Sequence, residues 1–475
     1  MSVWTVPLRL RIGGTPIARI SAPRSRSRRA EGPGLISNAA SPPDAVKRII
    51  RGLGLVLSGK AGAGVLSLGY LAIAARLLGP SDYGVLVLVH GYVTAVCALV
   101  EFPAWQAILR YGTQAHREDS PHRLARLLRF SAAIELTGGA LAILTAALLA
   151  PIIGPKLGWS PTALAFAVPY SFALLGSIRS TPAGYLQLIG RFDLIGAHNL
   201  VMPALRLGGV LLIWLLGGGL GAFLIVWMAA AIAEFASLWL IGLWFASRRL
   251  GPTLRKPERG SAIVDNPGIW RFLAASNADV TLSGLSGRVA PLLIGWMMGP
   301  AAAGFFAIAS RATVLIAQPA QVLGNTAYAE FARLIADGKG GRPLRRALLR
   351  LLGIAFAAVI PLLALVVLYH SAIVRLLAGA SFSGAGGLMV MLLIARALAM
   401  AGPPTSAALS ALGKPAWSVS ANLVASLIFL PALIPLLQVF GLKGAAFQAI
   451  GQALLASGLL LALTWLQSKR YDRTA

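Results

Sequence analysis

Arg206, Arg288, Arg311 and Arg396 each lie near the middle of a long run of apolar residues. Arg288 stands 11 residues before Gly299, and Arg311 stands 11 residues after Pro300. At a rise of about 1.5 Å per residue, both are about 16 Å from the same turn. In a hydrocarbon core about 30 Å thick, that depth is close to the midplane. Each arginine would cost about 2.5–3.5 kcal/mol if it faced lipid, and four would cost on the order of 10 kcal/mol. They must therefore face protein or a water-filled cavity.

Two arrangements meet that requirement. In one, each arginine is paired internally with Glu101, Glu135, Glu234 or Asp279, or with backbone carbonyls. In the other, the arginines line a cationic cavity for an anionic ligand, because a planar guanidinium fork matches phosphate oxygens. Arg288 and Arg311 flank one turn and can act together. Lys60 either joins this basic set or snorkels to the nearby membrane face, since it lies 19 residues before Gly79. Glu234, Asp279 and Glu101 are the candidates for counter-ions or for coupling to a driving cation.

Other chemistry is poorly represented. His90, His116, His122, His198 and His370 have no metal-ligand spacing, and neither a P-loop nor a nucleophile elbow occurs. Gly217, Gly218, Gly219 and Gly221 read as a tight turn rather than a phosphate cradle. Cys97 is the only cysteine and lies in an apolar run, so no disulfide forms within the chain. The expectation is a protein that is not an enzyme and uses no cofactor and no metal.

The elements that position these charges follow from hydropathy. Of the 475 residues, 57% are hydrophobic and only 12% are charged. Uncharged apolar runs of this length read as membrane-spanning helices. Twelve are expected, at about 52–78, 83–107, 130–150, 162–186, 193–217, 220–246, 270–298, 302–326, 350–369, 384–410, 418–439 and 444–467. In a soluble protein a net charge of +27 would point to nucleic acid. Here the basic residues cluster between apolar runs, where they read as topology signals facing anionic lipid. With the N-terminus inside, the outer loops carry only Lys156, Arg375 and Lys443, while the inner loops are rich in arginine. Both termini are then cytoplasmic.

The stretch ARLLGPSDYG at 75–84 joins the first two runs, and GWMMGPAAAG at 295–304 repeats its punctuation. Gly79, Pro80 and Gly84 correspond to Gly299, Pro300 and Gly304 at one constant offset. This reads as a duplicated hairpin in a duplicated chain. The expected organisation is a basic disordered tail or misassigned start (1–48), a six-helix lobe (49–247), a cytoplasmic linker (248–268), a second six-helix lobe (269–468) and a short tail (469–475). The first tail lacks the apolar core of a signal peptide. An even number of spans per half orients both halves alike, about a pseudo-two-fold axis normal to the membrane.

Several segments resemble the polysaccharide transporter family of the MOP flippase superfamily, which carries O-antigen, exopolysaccharide and teichoic-type precursors. ARLLGPSDYG (75–84) resembles the family's first hairpin and is the most specific match. EFPAWQAILRYG (101–112), GRFDLIG (190–196), AAGFFAIASRA (302–312), YAEFARL (328–334) and GPPTSAALSALGKP (402–415) are similar to later segments. Pro103 replaces a common glycine. Many members carry an acid at the position of Ala290, so no coupling role transfers from it.

The resemblance implies an all-α polytopic protein of the bacterial cytoplasmic (inner) membrane, with a MATE/MOP-like fold. It implies alternating-access flipping of a polyprenyl-diphosphate-linked oligosaccharide from the cytoplasmic to the outer leaflet. Arg288 and Arg311 are the positions that would meet the diphosphate, with Arg206, Arg396 and Lys60 as further candidates. Membrane lipids, and a glycan polymerase or export machinery, are the expected partners, with no nucleic acid. A cation-coupled multidrug exporter shares this architecture, but its cavity should be acidic or aromatic. A glycan polymerase or ligase would need larger outer loops than this chain has.

Overall fold

A computed structural model describes residues 42–100, 104–255, 260–338 and 340–474. The chain forms α1 (Pro42–Val100), α2 (Ala104–Arg117), α3 (Pro121–Lys156), α4 (Pro161–Ala165), a 3-10 stretch (Pro169–Ser177), α5 (Ser180–Leu188), α6 (Phe192–His198), α7 (Val201–Leu216) and α8 (Leu220–Leu250). After the short α9 (Pro252–Arg255) and α10 (Ala262–Asp265) come α11 (Ile269–Met298), α12 (Pro300–Ala336) and α13 (Arg342–Ala378). A 3-10 turn (Ala380–Phe382), α14 (Ala385–Ala399), α15 (Gly402–Ala411), α16 (Pro415–Phe440) and α17 (Lys443–Thr474) complete it. Among the described residues, eight helical segments are long and apolar enough to cross a membrane. One of them, Ser58–Leu99, contains the Gly79-Pro80 break.

The duplicated turns have the same local geometry. Gly79 has φ 68° and ψ 179°, and Gly299 has φ 85° and ψ 172°. Side chains disfavour this positive-φ region, and the proline that follows each glycine opens a new helix at a position where no N–H is needed. A large apolar cluster lies around these turns and draws on both halves of the chain, including Tyr83, Leu88, Trp159, Ala303, Phe382 and Leu433. Tyr83 and Phe305 both pack edge-on against Phe382. Farther along α1, the Thr281 hydroxyl of α11 donates to the Ala98 carbonyl at 2.8 Å.

Four differences from the expected pattern have physical causes. The fourth run is not one helix but α4, a 3-10 stretch and α5. Pro169 and Pro182 remove backbone donors, and the buried Glu135 carboxylate of α3 accepts from the N–H groups of Ser180 and Thr181. That carboxylate caps a helix that starts within the bundle. The fifth and tenth runs are also interrupted, at Asn199–Leu200 before Pro203 and at Met400–Ala401 before Pro403 and Pro404. Helix α1 begins at Pro42, inside the stretch expected as tail, and the rest of that stretch, 1–41, lies outside the described residues. The polar stretch after α8 folds back onto α3, where Arg126 Nε donates to Asp265 Oδ2 at 2.6 Å.

Candidate functional site

A cavity of about 290 Å³ lies between α1, α7, α8, α11 and α12. The register of α1 places Tyr83, Val87, His90 and Thr94 on one helical face, three to four residues apart, and all four line it. Arg206 enters from α7, Trp227 from α8, Arg288 from α11, and Ser310 and Arg311 from α12. Three of the arginines expected at membrane depth therefore share one space. Among the described residues that line it, none is acidic.

Arg206 is held by aromatic rings rather than by a carboxylate. It is 5% exposed, and its guanidinium carbon lies 5.1 Å from the Trp227 ring centroid and 5.8 Å from that of Tyr70. Nη1 approaches the Tyr70 hydroxyl at 3.4 Å, and Tyr70 packs edge-on against Trp227 at 5.4 Å. Cation–π contacts of this kind fix the direction of a guanidinium without neutralising it. Its Nε and Nη2 are buried and have no hydrogen-bond partner among the described residues.

Arg288 is half-buried, and its Nη1 is likewise buried without a partner among the described residues. Its head lies over Gly284, one turn earlier on α11, where an added Cβ would come within 2.8 Å of Nη1. Arg311 is exposed. His90 Nδ1 is 3.1 Å from the Tyr170 hydroxyl of the 3-10 stretch. Unpaired buried donors are costly, and like charges gathered in one cavity repel one another. An anionic ligand relieves both penalties at once.

The other expected site residues lie elsewhere. Lys60 is exposed on α1, ten residues before Tyr70, or about 15 Å along the axis. Arg396 is exposed in the last turn of α14, where a cation complements the free carbonyls of a helix end. Neither lines the cavity. Glu234 is buried on α8 and forms an ion pair with Arg179, and its Oε2 has no partner among the described residues. The neighbouring His198 Nε2 is 2.9 Å from the Glu234 carbonyl oxygen. Glu101 lies outside the described residues, as does the side chain of Asp279.

Sequence reasoning missed Arg179, Tyr70, His90 and Trp227. Arg179 stands inside the fourth apolar run, in SIRSTP (177–182), and the same depth argument that marked Arg206 applies to it. The 3–4 spacing of Tyr83, Val87, His90 and Thr94 was the available signal for the cavity face of α1.

Residues 73–385 match the model of a family described as polysaccharide biosynthesis protein. The chain belongs to this family. Over 307 residues it is 28% identical to the inner membrane protein YghQ of Escherichia coli (strain K12), covering 63% of this chain and 84% of that protein. The fold is similar to an inward-facing multidrug resistance MATE transporter of the MOP superfamily, with TM-score 0.69 and 16% identity, over 87% of this chain and 96% of the other. It is also similar to an outward-facing structure of such a transporter, with TM-score 0.61 and 17% identity, over 90% and 96%. The fold is thus similar to that of these transporters, and with eight described helical segments long and apolar enough to cross a bilayer the chain is a multi-pass membrane protein.

Proposed function

We propose that this chain flips a polyprenyl-diphosphate-linked oligosaccharide, an O-antigen or exopolysaccharide precursor, from the cytoplasmic to the outer leaflet of the bacterial inner membrane. The observation that carries the reading is the convergence of Arg206, Arg288 and Arg311 on one cavity whose described lining holds no carboxylate. The N–H groups of Arg206 and Arg288 that have no partner among the described residues are donors of the kind that phosphate oxygens accept from. The family's tie to polysaccharide biosynthesis supports a glycan as the rest of the cargo.

In this account the headgroup enters the cavity while the isoprenoid tail stays in the bilayer. Two six-helix lobes, 49–247 and 269–468, rock about the midplane site, with both termini cytoplasmic. The charge of the diphosphate is balanced by arginine instead of being solvated by carried water, which lowers the cost of moving it through a low-dielectric region. No covalent step is required. Downstream partners would be a glycan polymerase or export machinery.

Cation-coupled drug export is the rival reading, and the MATE-like fold suits it equally. Tyr70, Tyr83 and Trp227 would suit an aromatic drug, but three guanidiniums would repel the usual cationic one. The deciding experiment uses a deletion strain that lacks a redundant flippase. Loss of surface polysaccharide, with lipid-linked oligosaccharide accumulating in the cytoplasmic leaflet, is the expected result. Unchanged glycan and intermediates would overturn the reading.

A further inference from the structure

A second, larger groove of about 660 Å³ lies between α3, α5 and α8. Its walls are mainly apolar, with Leu128 from α3, Pro182 and Tyr185 from α5, and Trp239, Leu243 and Trp244 from α8. It is separate from the arginine cavity. Trp227 lines that cavity and Trp244 lines the groove, 17 residues apart on one helix, which is about 25 Å of rise.

The rim of the groove faces the surroundings of the bundle. Leu240, Leu243 and Trp244 are 68%, 51% and 46% exposed, on a helix apolar enough to cross a membrane. One end carries charge. Arg129 lines the groove, and the guanidinium of Arg248, one turn after Trp244, sits over that indole at 3.9 Å from the ring centroid. Stacking on the ring occupies the guanidinium face and leaves its N–H edge for an anion. Within the apolar wall, Thr181 Oγ1 is buried and has no hydrogen-bond partner among the described residues.

We propose that this groove is a binding site for an anionic phospholipid of the bilayer. One acyl chain lies along Trp239, Leu243 and Trp244, and the phosphate sits at Arg248. An apolar trough with one cationic end is complementary to a single-charged amphiphile, and bilayer lipid surrounds such a rim at very high concentration. The tail of a cargo seated at Arg206 would instead leave from another face of α8, about 25 Å away along its axis.

Native mass spectrometry of the detergent-purified full chain tests this, with dioleoyl phosphatidylglycerol and dioleoyl phosphatidylcholine added in equal amounts. One molecule of phosphatidylglycerol should be retained in preference to phosphatidylcholine by about fivefold, the effect of roughly one arginine at an anionic surface. Arg248→Gln should abolish that preference. Leu243→Trp, which fills an exposed part of the trough, should lower retention of both lipids. Arg206→Ala should change neither, which separates this site from the cargo cavity. Equal retention of the two lipids by the unaltered protein would overturn the proposal, as would an unchanged preference in Arg248→Gln. Displacement of the phosphatidylglycerol by a polyprenyl diphosphate would overturn it in favour of the cargo tail.

Discussion

Gly84 of α1 and Gly304 of α12 meet backbone to backbone. A Cβ on Gly304 would lie 3.3 Å from Gly84 Cα and 2.5 Å from the Pro80 carbonyl oxygen, and a Cβ on Gly84 would overlap the Pro300 carbonyl. The contact is reciprocal, because each glycine faces the proline carbonyl of the other turn. This is the pattern that a two-fold axis imposes on a self-complementary contact. Here both turns belong to one chain, and each Gly-Pro turn packs against the other.

Enlarging either glycine should therefore pry the turns apart. Gly84→Leu cannot be relieved by a rotamer change, since the obstructing atoms are backbone. Such overpacking costs about 1–3 kcal/mol. The expected result is a shift of at least several-fold towards conformers in which this end is open, read as faster thiol labelling of Ala302→Cys. Unchanged labelling would show that the turns do not gate access.

Arg206, Arg288 and Arg311 should each be needed for transport, whereas Arg396 and Lys60 should not. Loss of one charge-assisted contact to phosphate is worth about 1.5–3 kcal/mol, or roughly tenfold to a hundredfold in apparent affinity. Arg206→Lys should recover little, because an ammonium cannot reproduce a fork fixed between Tyr70 and Trp227. Transport assays with membrane insertion checked in parallel decide this. Arg396→Ala failing as badly as Arg288→Ala would move the site out of the cavity.

The Arg179–Glu234 pair should contribute to stability rather than to cargo binding. Its carboxylate is buried, but the Arg179 side chain is 45% exposed, so solvent screens part of the attraction. Arg179→Met would leave Glu234 buried without its partner and should cost up to about 3 kcal/mol. Adding Glu234→Gln should restore most of the loss. Thermal unfolding in detergent measures both steps. If the double variant is no more stable than the single one, the two residues are not energetically coupled.

Glu135 carries a related expectation. Its carboxylate satisfies the first N–H groups of α5, so Glu135→Leu would orphan two buried donors at once. A cost of about 2–4 kcal/mol and a lowered unfolding temperature should follow. A neutral effect would mean that α5 is held by its packing against α2 and α8 alone.

Features that depend on local chemistry are legible in the amino-acid sequence. Gly79-Pro80 and Gly299-Pro300 break helices by rules that act within a few residues, so both turns and their equivalence can be read directly. Arg288 and Arg311 are equally accessible, because helical rise alone converts their distance from the turn into membrane depth. Depth does not reveal direction around the helix axis. Arg396 fits the same argument by depth, yet it does not line the cavity that receives Arg206, and Lys60 lies about 15 Å along α1 from Tyr70. The broken fourth segment is hidden for another reason. Its interruption is stabilised by Glu135, on a helix more than forty residues earlier, and no pattern within 162–186 announces that partner. Tyr70 and Trp227 look like ordinary core aromatics until Arg206 is placed between them.

Above all, the arginine cavity should carry the diphosphate headgroup across the bilayer. The most direct measurement is transbilayer movement of a labelled polyprenyl-diphosphate oligosaccharide in liposomes containing the purified protein. The account predicts protein-dependent movement that the combined Arg206→Ala, Arg288→Ala and Arg311→Ala variant lowers at least a hundredfold while still folding and inserting. Movement at the unaltered rate in that variant would contradict it.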